Sequence, residues 1–313
     1  MNAEQLFNEI KTLQVPHDGS FNVIIADDCF YGMSADKGFV FASKSINSNS
    51  RSMAQQTKQL YLGQNISCVI NTPQGKEKDV FDIIVCFDKD PMNILTFIKL
   101  TQVYIESLKI HTQNITSFFD SIKNLFANKL QVPLSELQGL YGELYFIDFM
   151  KNKGVNISFY WQSQDKMKFD FSVDSIRKIE VKTTMSENRI HKFKHEQLIS
   201  DIYDIWIVSM LLRKDDRGLS LYELAEKVMN DNPSNLQLHT HITKLLNNYT
   251  QRELESIKFN KQYANNNIRF YNTVDVPKFP DRQPDGVSNT EYDSDLSIVQ
   301  PRNYYELIDW INK

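Results

Sequence analysis

Asp170, Glu180 and Lys182 are the residues whose types and spacing could do chemistry. They lie in FDFSVDSIRKIEVKTT, Phe169 to Thr184, which reads as two short strands folded back on each other about Ser175. In that register Asp170 faces Glu180 across the hairpin, and Lys182, two positions further on, shares the same face. A slip of one residue would break the set apart. Two converging carboxylates each disfavour the other's ionisation unless a cation offsets the repulsion. Mg2+ suits the pair, with Mn2+ as a substitute, because it takes one or two protein carboxylates and leaves its other positions to water and phosphate oxygens. The amine beside such a centre could orient or deprotonate a water and neutralise charge developing on a phosphate. The implied reaction is hydrolysis of a phosphodiester. The plain alternative for the three residues is a salt-bridged surface hairpin.

The neighbouring elements must hold that hairpin in place. A helix is expected over Pro133 to Met150, where Leu137, Leu140, Leu144, Tyr145, Ile147 and Phe149 recur at helical spacing. Short β-branched or aromatic runs predict strands at Ile157 to Trp161, Phe169 to Val173 and Lys178 to Thr183. Lys194 to Ser200 reads as a helix and Ile202 to Leu212 as a buried strand, so the middle of the chain alternates as an α/β layer does. Before it, Phe21 to Phe87 reads as β-rich, with runs at Phe21 to Ala26, Gly38 to Ala42, Ile66 to Asn71 and Phe81 to Phe87 and a solvated loop at Ser45 to Ser52. Helical spacing takes over from Asp90 to Asn128. After the core, helices are predicted at Ser220 to Asn230, with Ser220 and Glu223 forming a capping box, at Asn235 to Asn248 and at Tyr304 to Asn312. Pro277 to Ser288 reads as loop. The expected division is a β-rich module over 1–125, an α/β core over 126–217 and a mainly helical region over 218–313.

Asp170, nine intervening residues and Glu180-Val181-Lys182 resemble the PD-(D/E)xK motif of restriction-type nucleases, with Phe169 standing where the name has proline. The resemblance implies a restriction-endonuclease-like core, a central mixed sheet flanked by helices, and Mg2+ held by Asp170 and Glu180. It also implies an auxiliary acid on the preceding helix, matched by Glu143 in GLYGELYFI, and a polar residue on the following helix, matched by Gln197. More narrowly, the order GLYGELYFI, then Trp161, FDF and IEVKTT, then HKFKHEQL, IWIVSMLL and SLYELAEKV, about Leu134 to Val228, is similar to a bacterial family called PD-(D/E)xK motif protein. The stretch Val276 to Leu296 fits it as well. Members of that family are typically encoded beside DNA methyltransferases and ATPases, in loci that resemble restriction or phage-defence systems. That association implies a DNA target, hence a metal-dependent DNA endonuclease, and cutting both strands with one site per chain suggests a homodimer or an assembly with separate ATPase and methyltransferase subunits. The rival reading is a catalytically silent nuclease-fold subunit that binds nucleic acid or partner proteins.

Composition narrows the classes. The formal net charge of the 313 residues is -4, so no global basic field advertises nucleic acid, and any contact must be local. Lys166, Lys168, Arg177, Lys178, Lys182, Arg189, Lys192 and Lys194 outnumber Asp170, Asp174, Glu180 and Glu187 in one strip. Arg189, His191, Lys192 and Lys194 are the best placed there to touch a phosphate backbone, although a solvated face is the bland reading. His191 and His195 find no third ligand at zinc spacing. Gly75-Lys76-Glu77 lacks the rest of a phosphate loop, so translocation along DNA would need a separate ATPase. Cys29, Cys68 and Cys86, an odd and scattered set, fit a reducing cytoplasm. No apolar run approaches the ~20 residues of a membrane span.

Overall fold

The computed structural model describes residues 1–17, 19–45, 51–110, 114–123, 125–126, 133–162, 168–247, 249–280, 284–287 and 289–313. Lys166 and most of the expected Ser45 to Ser52 loop lie outside the described residues. Contacts divide the chain into two units, Met1–Leu130 with Pro233–Asn248, and Gln131–Asn232 with Tyr249–Lys313.

The first unit begins with α1 (Ala3–Thr12), whose Asn2 and Gln5 form a capping box. Six strands follow: β1 (Phe21–Ala26), β2 (Cys29–Met33), β3 (Phe39–Lys44), β4 (Met53–Gln56), β5 (Leu60–Thr72) and β6 (Gly75–Cys86). β1 and β2 join through Asp27-Asp28, at φ 52° and 61°, the positive values that a two-residue hairpin turn demands. Antiparallel pairing runs β1-β2-β3-β6-β5, and β1 then meets β5 in parallel at Phe21↔Ile70, closing a five-stranded barrel. Alternation along the strands sends Val23, Phe30, Val40, Phe81, Ile83 and Val85 into one apolar cluster. Tyr31, Phe41, Ile84 and Cys86 join another with α1, α2 (Pro91–Leu108) and α3 (Ile115–Lys123). β2 is buried at every position, so it carries no polar alternation for a sequence reading to detect.

The second unit holds a mixed α/β layer. It contains α4 (Leu134–Asn152), β7 (Phe171–Ser172), β8 (Arg177–Thr184), β9 (Ile190–Lys194), α5 (His195–Leu198), β10 (Asp204–Leu211), β11 (Lys214–Ser220) and α6 (Leu221–Asn230). After α7 (Leu236–Leu246), which belongs to the first unit, come α8 (Gln251–Ser256), β12 (Lys258–Phe259), α9 (Lys261–Asn266), β13 (Ile268–Asn272), β14 (Glu291–Asp295) and α10 (Tyr304–Ile311). The central sheet has the order β13-β10-β8-β7, with β8 and β10 parallel and the outer pairs antiparallel.

α4 lies against β8. A Cβ on Gly142 would stand 2.2 Å from Thr183 Cγ2, so glycine permits the close approach. Phe146 of α4 packs edge-on against Phe171 of β7, ring centroids 5.3 Å apart. A separate cluster unites Phe193, Leu198, Ile205, Ile207, Tyr271 and Leu296, joining the sheet to β9, α5 and the segment after β14.

Several expectations change. Ile157 to Trp161 forms a 3-10 turn at Ser158–Tyr160 in place of a strand. The helix expected over Lys194 to Ser200 shortens to α5, because the residues before it form β9, paired with β14. The C-terminal region is less helical than predicted: β13 enters the central sheet and β14 pairs β9. Ser220 and Glu223 do form the predicted capping box at α6.

Candidate active site

The hairpin folds about Ser175. Phe171 pairs with Ile179 and Ser172 with Lys178, and one further step in that register sets Asp170 opposite Glu180. Asp174 makes the turn: its Oδ1 accepts from the backbone N–H of Ile176 at 2.8 Å and of Arg177 at 2.6 Å. Those donors, with the Arg177 side chain, hold its carboxyl down at about 2. Asp170 is fixed across the hairpin, where its Oδ2 accepts the Val181 N–H at 2.7 Å.

Glu180 is buried, 4% exposed. Its Oε1 receives the Lys182 ammonium at 2.7 Å and the Gln197 amide at 2.7 Å, while its Oε2 is buried without a donor. Lys182 Nζ also lies 5.3 Å from the Phe193 ring centroid, and its side chain remains 22% exposed. Gln197 turns to Glu180 and Lys182 because its Oε1 also accepts the Lys194 N–H at 3.1 Å, capping α5. On α4, Glu143 Oε2 accepts the Trp161 indole N–H at 2.6 Å.

The three acids influence one another. Burial, and next Glu180's charge, raise Glu143 to about 7, against the lowering effect of Trp161. Burial, then the charges of Glu180 and Glu143, hold Asp170 well above the usual carboxylate range. Glu180 is raised by burial and eased back by Lys182 and Gln197. Metal-free, this cluster resists carrying its full negative charge.

The unpartnered Glu180 Oε2 and the mutual repulsion of the acids are what a divalent cation would relieve. As the side chains stand, no three His, Cys, Asp or Glu among the described residues are grouped to hold a metal ion. Glu143, Asp170 and Glu180 are therefore electrostatically joined without yet forming a tight cage.

The basic strip divides in two. Alternation along β9 turns His191 and Phe193 inward and Lys192 and Lys194 outward. Arg189 is buried as well, donating to Ser209 O at 3.0 Å, Ser209 Oγ at 3.0 Å and Asn267 O at 2.6 Å. His191 Nε2 lies 2.7 Å from the same hydroxyl, and burial, with Lys182 and Arg189 nearby, lowers its pKa to about 4. Arg189 and His191 are thus internal ties, not the outward contacts expected of them. Lys192 and Lys194 are exposed, opposite Asp293 and Glu291 on β14. Lys168 pairs with Glu196 at 3.2 Å.

Trp161 stands in the ordered resemblance, but the sequence gives it no role at the site, because an indole before the hairpin has no spacing relation to Glu143 on the earlier helix.

A family model described as "Putative PD-(D/E)XK family member, (DUF4420)" matches residues 1–297. Comparison with curated proteins and with solved structures gave no match. No helix among the described residues is long and apolar enough to cross a membrane. The match extends across both structural units, and the chain belongs to this family of the PD-(D/E)XK superfamily.

Proposed function

We propose that the chain is a metal-dependent endonuclease that hydrolyses DNA phosphodiester bonds, with Asp170, Glu180 and Lys182 at work in a restriction-endonuclease-like core over about 126–217. One observation carries the reading: Asp170, tied to the Val181 N–H, stands across the hairpin from a buried Glu180 with one oxygen unclaimed.

Asp170 and Glu180 would hold Mg2+, or Mn2+ in its stead, with Glu143 completing the set. When bound, such a cation supplies charge neutralisation at the phosphate and a more acidic water. The chain's own groups do the rest. Lys182, partly exposed beside Glu180, orients the attacking water and the phosphate and offsets charge as it develops. Gln197 holds the Glu180 carboxylate and the Lys182 amine in register. Lys192 and Lys194 remain outward for phosphate contacts.

Restriction or phage defence in the cytoplasm suits such an activity. Cutting both strands calls for two sites, so a homodimer or an assembly with a separate ATPase and methyltransferase belongs to the proposal.

The test is supercoiled plasmid incubated with purified chain and Mg2+ or Mn2+, beside Lys182→Ala and a parallel digest of single-stranded RNA. Nicking or linearisation by wild type alone supports the reading, whereas RNA cleavage alone reassigns the substrate. A silent subunit that binds nucleic acid without cutting is the second reading, favoured by the ungrouped metal donors. It gains if wild type and variant leave plasmid and RNA intact even with partner subunits present.

A further inference from the structure

Beyond the carboxyl ends of the parallel strands β8 and β10 the second unit has another concave surface. It is a cleft of about 370 Å³, lined by Met185, Glu187, Leu212, Arg213, Lys214 and Tyr263 among others. Crevices beyond the carboxyl ends of parallel strands are where α/β sheets take ligands, since loops diverge there. The volume lies at the small end of the range for ligand sites and suits one nucleotide, not a duplex face.

The lining has a particular chemistry. The Arg213 guanidinium carbon lies over the Tyr263 ring, 4.1 Å from its centroid, and the Arg213 side chain is exposed. Tyr263 is anchored by α9, its N–H donating to Asn260 Oδ1 at 2.7 Å and its carbonyl accepting from Asn267 Nδ2 at 2.9 Å. Arg213 and Lys214 are exposed and outnumber Glu187, and Met185 and Leu212 supply apolar wall. A guanidinium plane backed by an aromatic ring is a platform for an unpaired base, and an adjacent ammonium is a partner for its phosphate.

We propose that the cleft receives an unpaired nucleotide of the substrate strand, its base on the Arg213–Tyr263 stack and its phosphate at Lys214. This rests on the nuclease reading and adds to it a preference for substrate with single-stranded character near the cut. Met185, just past the end of β8, follows Lys182 by three residues, at most about 10 Å of extended chain. That is about three nucleotides of a stacked strand. A strand engaged at Lys182 is thus close enough to continue into the cleft.

The experiment measures fluorescence anisotropy of labelled single-stranded and duplex DNA oligonucleotides with the full chain in EDTA, where no metal-dependent cutting occurs. Wild type is expected to bind the single strand more tightly than the duplex. Arg213→Ala and Tyr263→Ala should each weaken single-strand binding about tenfold, Tyr263→Phe should retain it, and Lys214→Ala should flatten its salt dependence by about one ion. Thermal melts of each variant confirm folding, and Tyr263→Phe keeps the test decisive if Tyr263→Ala unfolds. The proposal is overturned if the Arg213→Ala variant binds single strands within twofold of wild type, or if duplex is preferred. Should that occur while plasmid is still cut, the cleft alone is misassigned. Wild type that neither binds nor cuts any nucleic acid overturns both readings.

Discussion

The Trp161 indole N–H donates to Glu143 Oε2 across 2.6 Å, linking the segment before the hairpin to the acid on α4. Trp161 is 2% exposed, so water cannot replace a lost bond cheaply. Trp161→Phe should destabilise the metal-free fold by about 1–3 kcal/mol, read from urea unfolding. It should also weaken Mg2+ binding by calorimetry if Glu143 joins the proposed metal site, because the carboxylate loses the donor that fixes it. An unchanged Mg2+ affinity would remove Glu143 from the ligand set.

The acid cluster makes stability depend on pH and on metal. Glu143, raised from 4.5 to about 7 by burial, favours the fold fully below about pH 4.5, and that contribution is lost as pH rises through about 7. Asp170 and Glu180, both raised, act in the same direction. His191, lowered from 6.5 to about 4, opposes them, since its contribution is lost as pH falls below 6.5. Comparing wild type with Glu143→Gln in EDTA isolates the carboxyl: the melting temperature of wild type should fall relative to the variant between pH 4.5 and 7. Mg2+ should shrink that gap, since it favours the ionised acid. Parallel curves would mean that Glu143 titrates normally.

Arg189 and Lys192, close in sequence, should behave differently. Arg189→Ala removes the guanidinium donors from Ser209 O, Ser209 Oγ and Asn267 O and opens a cavity, so urea unfolding should show a loss of about 2–4 kcal/mol. Lys192→Ala, on the outward face of β9, should change stability by less than about 0.5 kcal/mol. Its effect should appear in the salt dependence of DNA binding. Equal stabilities for the two variants would contradict the buried role of Arg189.

Two glycines of α4 should respond with opposite signs. Gly139→Ala meets nothing within 4 Å and should stabilise the helix by about 0.5–1 kcal/mol. Gly142→Ala gains the same helix propensity, but its new methyl falls 2.2 Å from Thr183 Cγ2. Overpacking of about 1–3 kcal/mol should outweigh that gain and push the adjacent Glu143 away from the hairpin. Denaturation curves of the pair, together with nuclease assays, check both signs. A stabilised and fully active Gly142→Ala protein would show that α4 and β8 are less tightly packed than described.

The amino-acid sequence alone carries the hairpin: the turn residue Asp174 and the two-residue period pair Phe171 with Ile179 and Ser172 with Lys178, and both are local properties of one short stretch. The capping box at Ser220 and Glu223 is local in the same way. Tertiary structure decided the rest, because it depends on partners far along the chain. β9 exists as a strand through β14, and that pairing turns Arg189 and His191 inward to Ser209. The barrel closes through two residue pairs between β1 and β5, and Trp161 reaches Glu143 only once α4 and the hairpin share a sheet face. Such contacts follow from which distant surfaces fit together, and neither periodicity nor spacing encodes that fit.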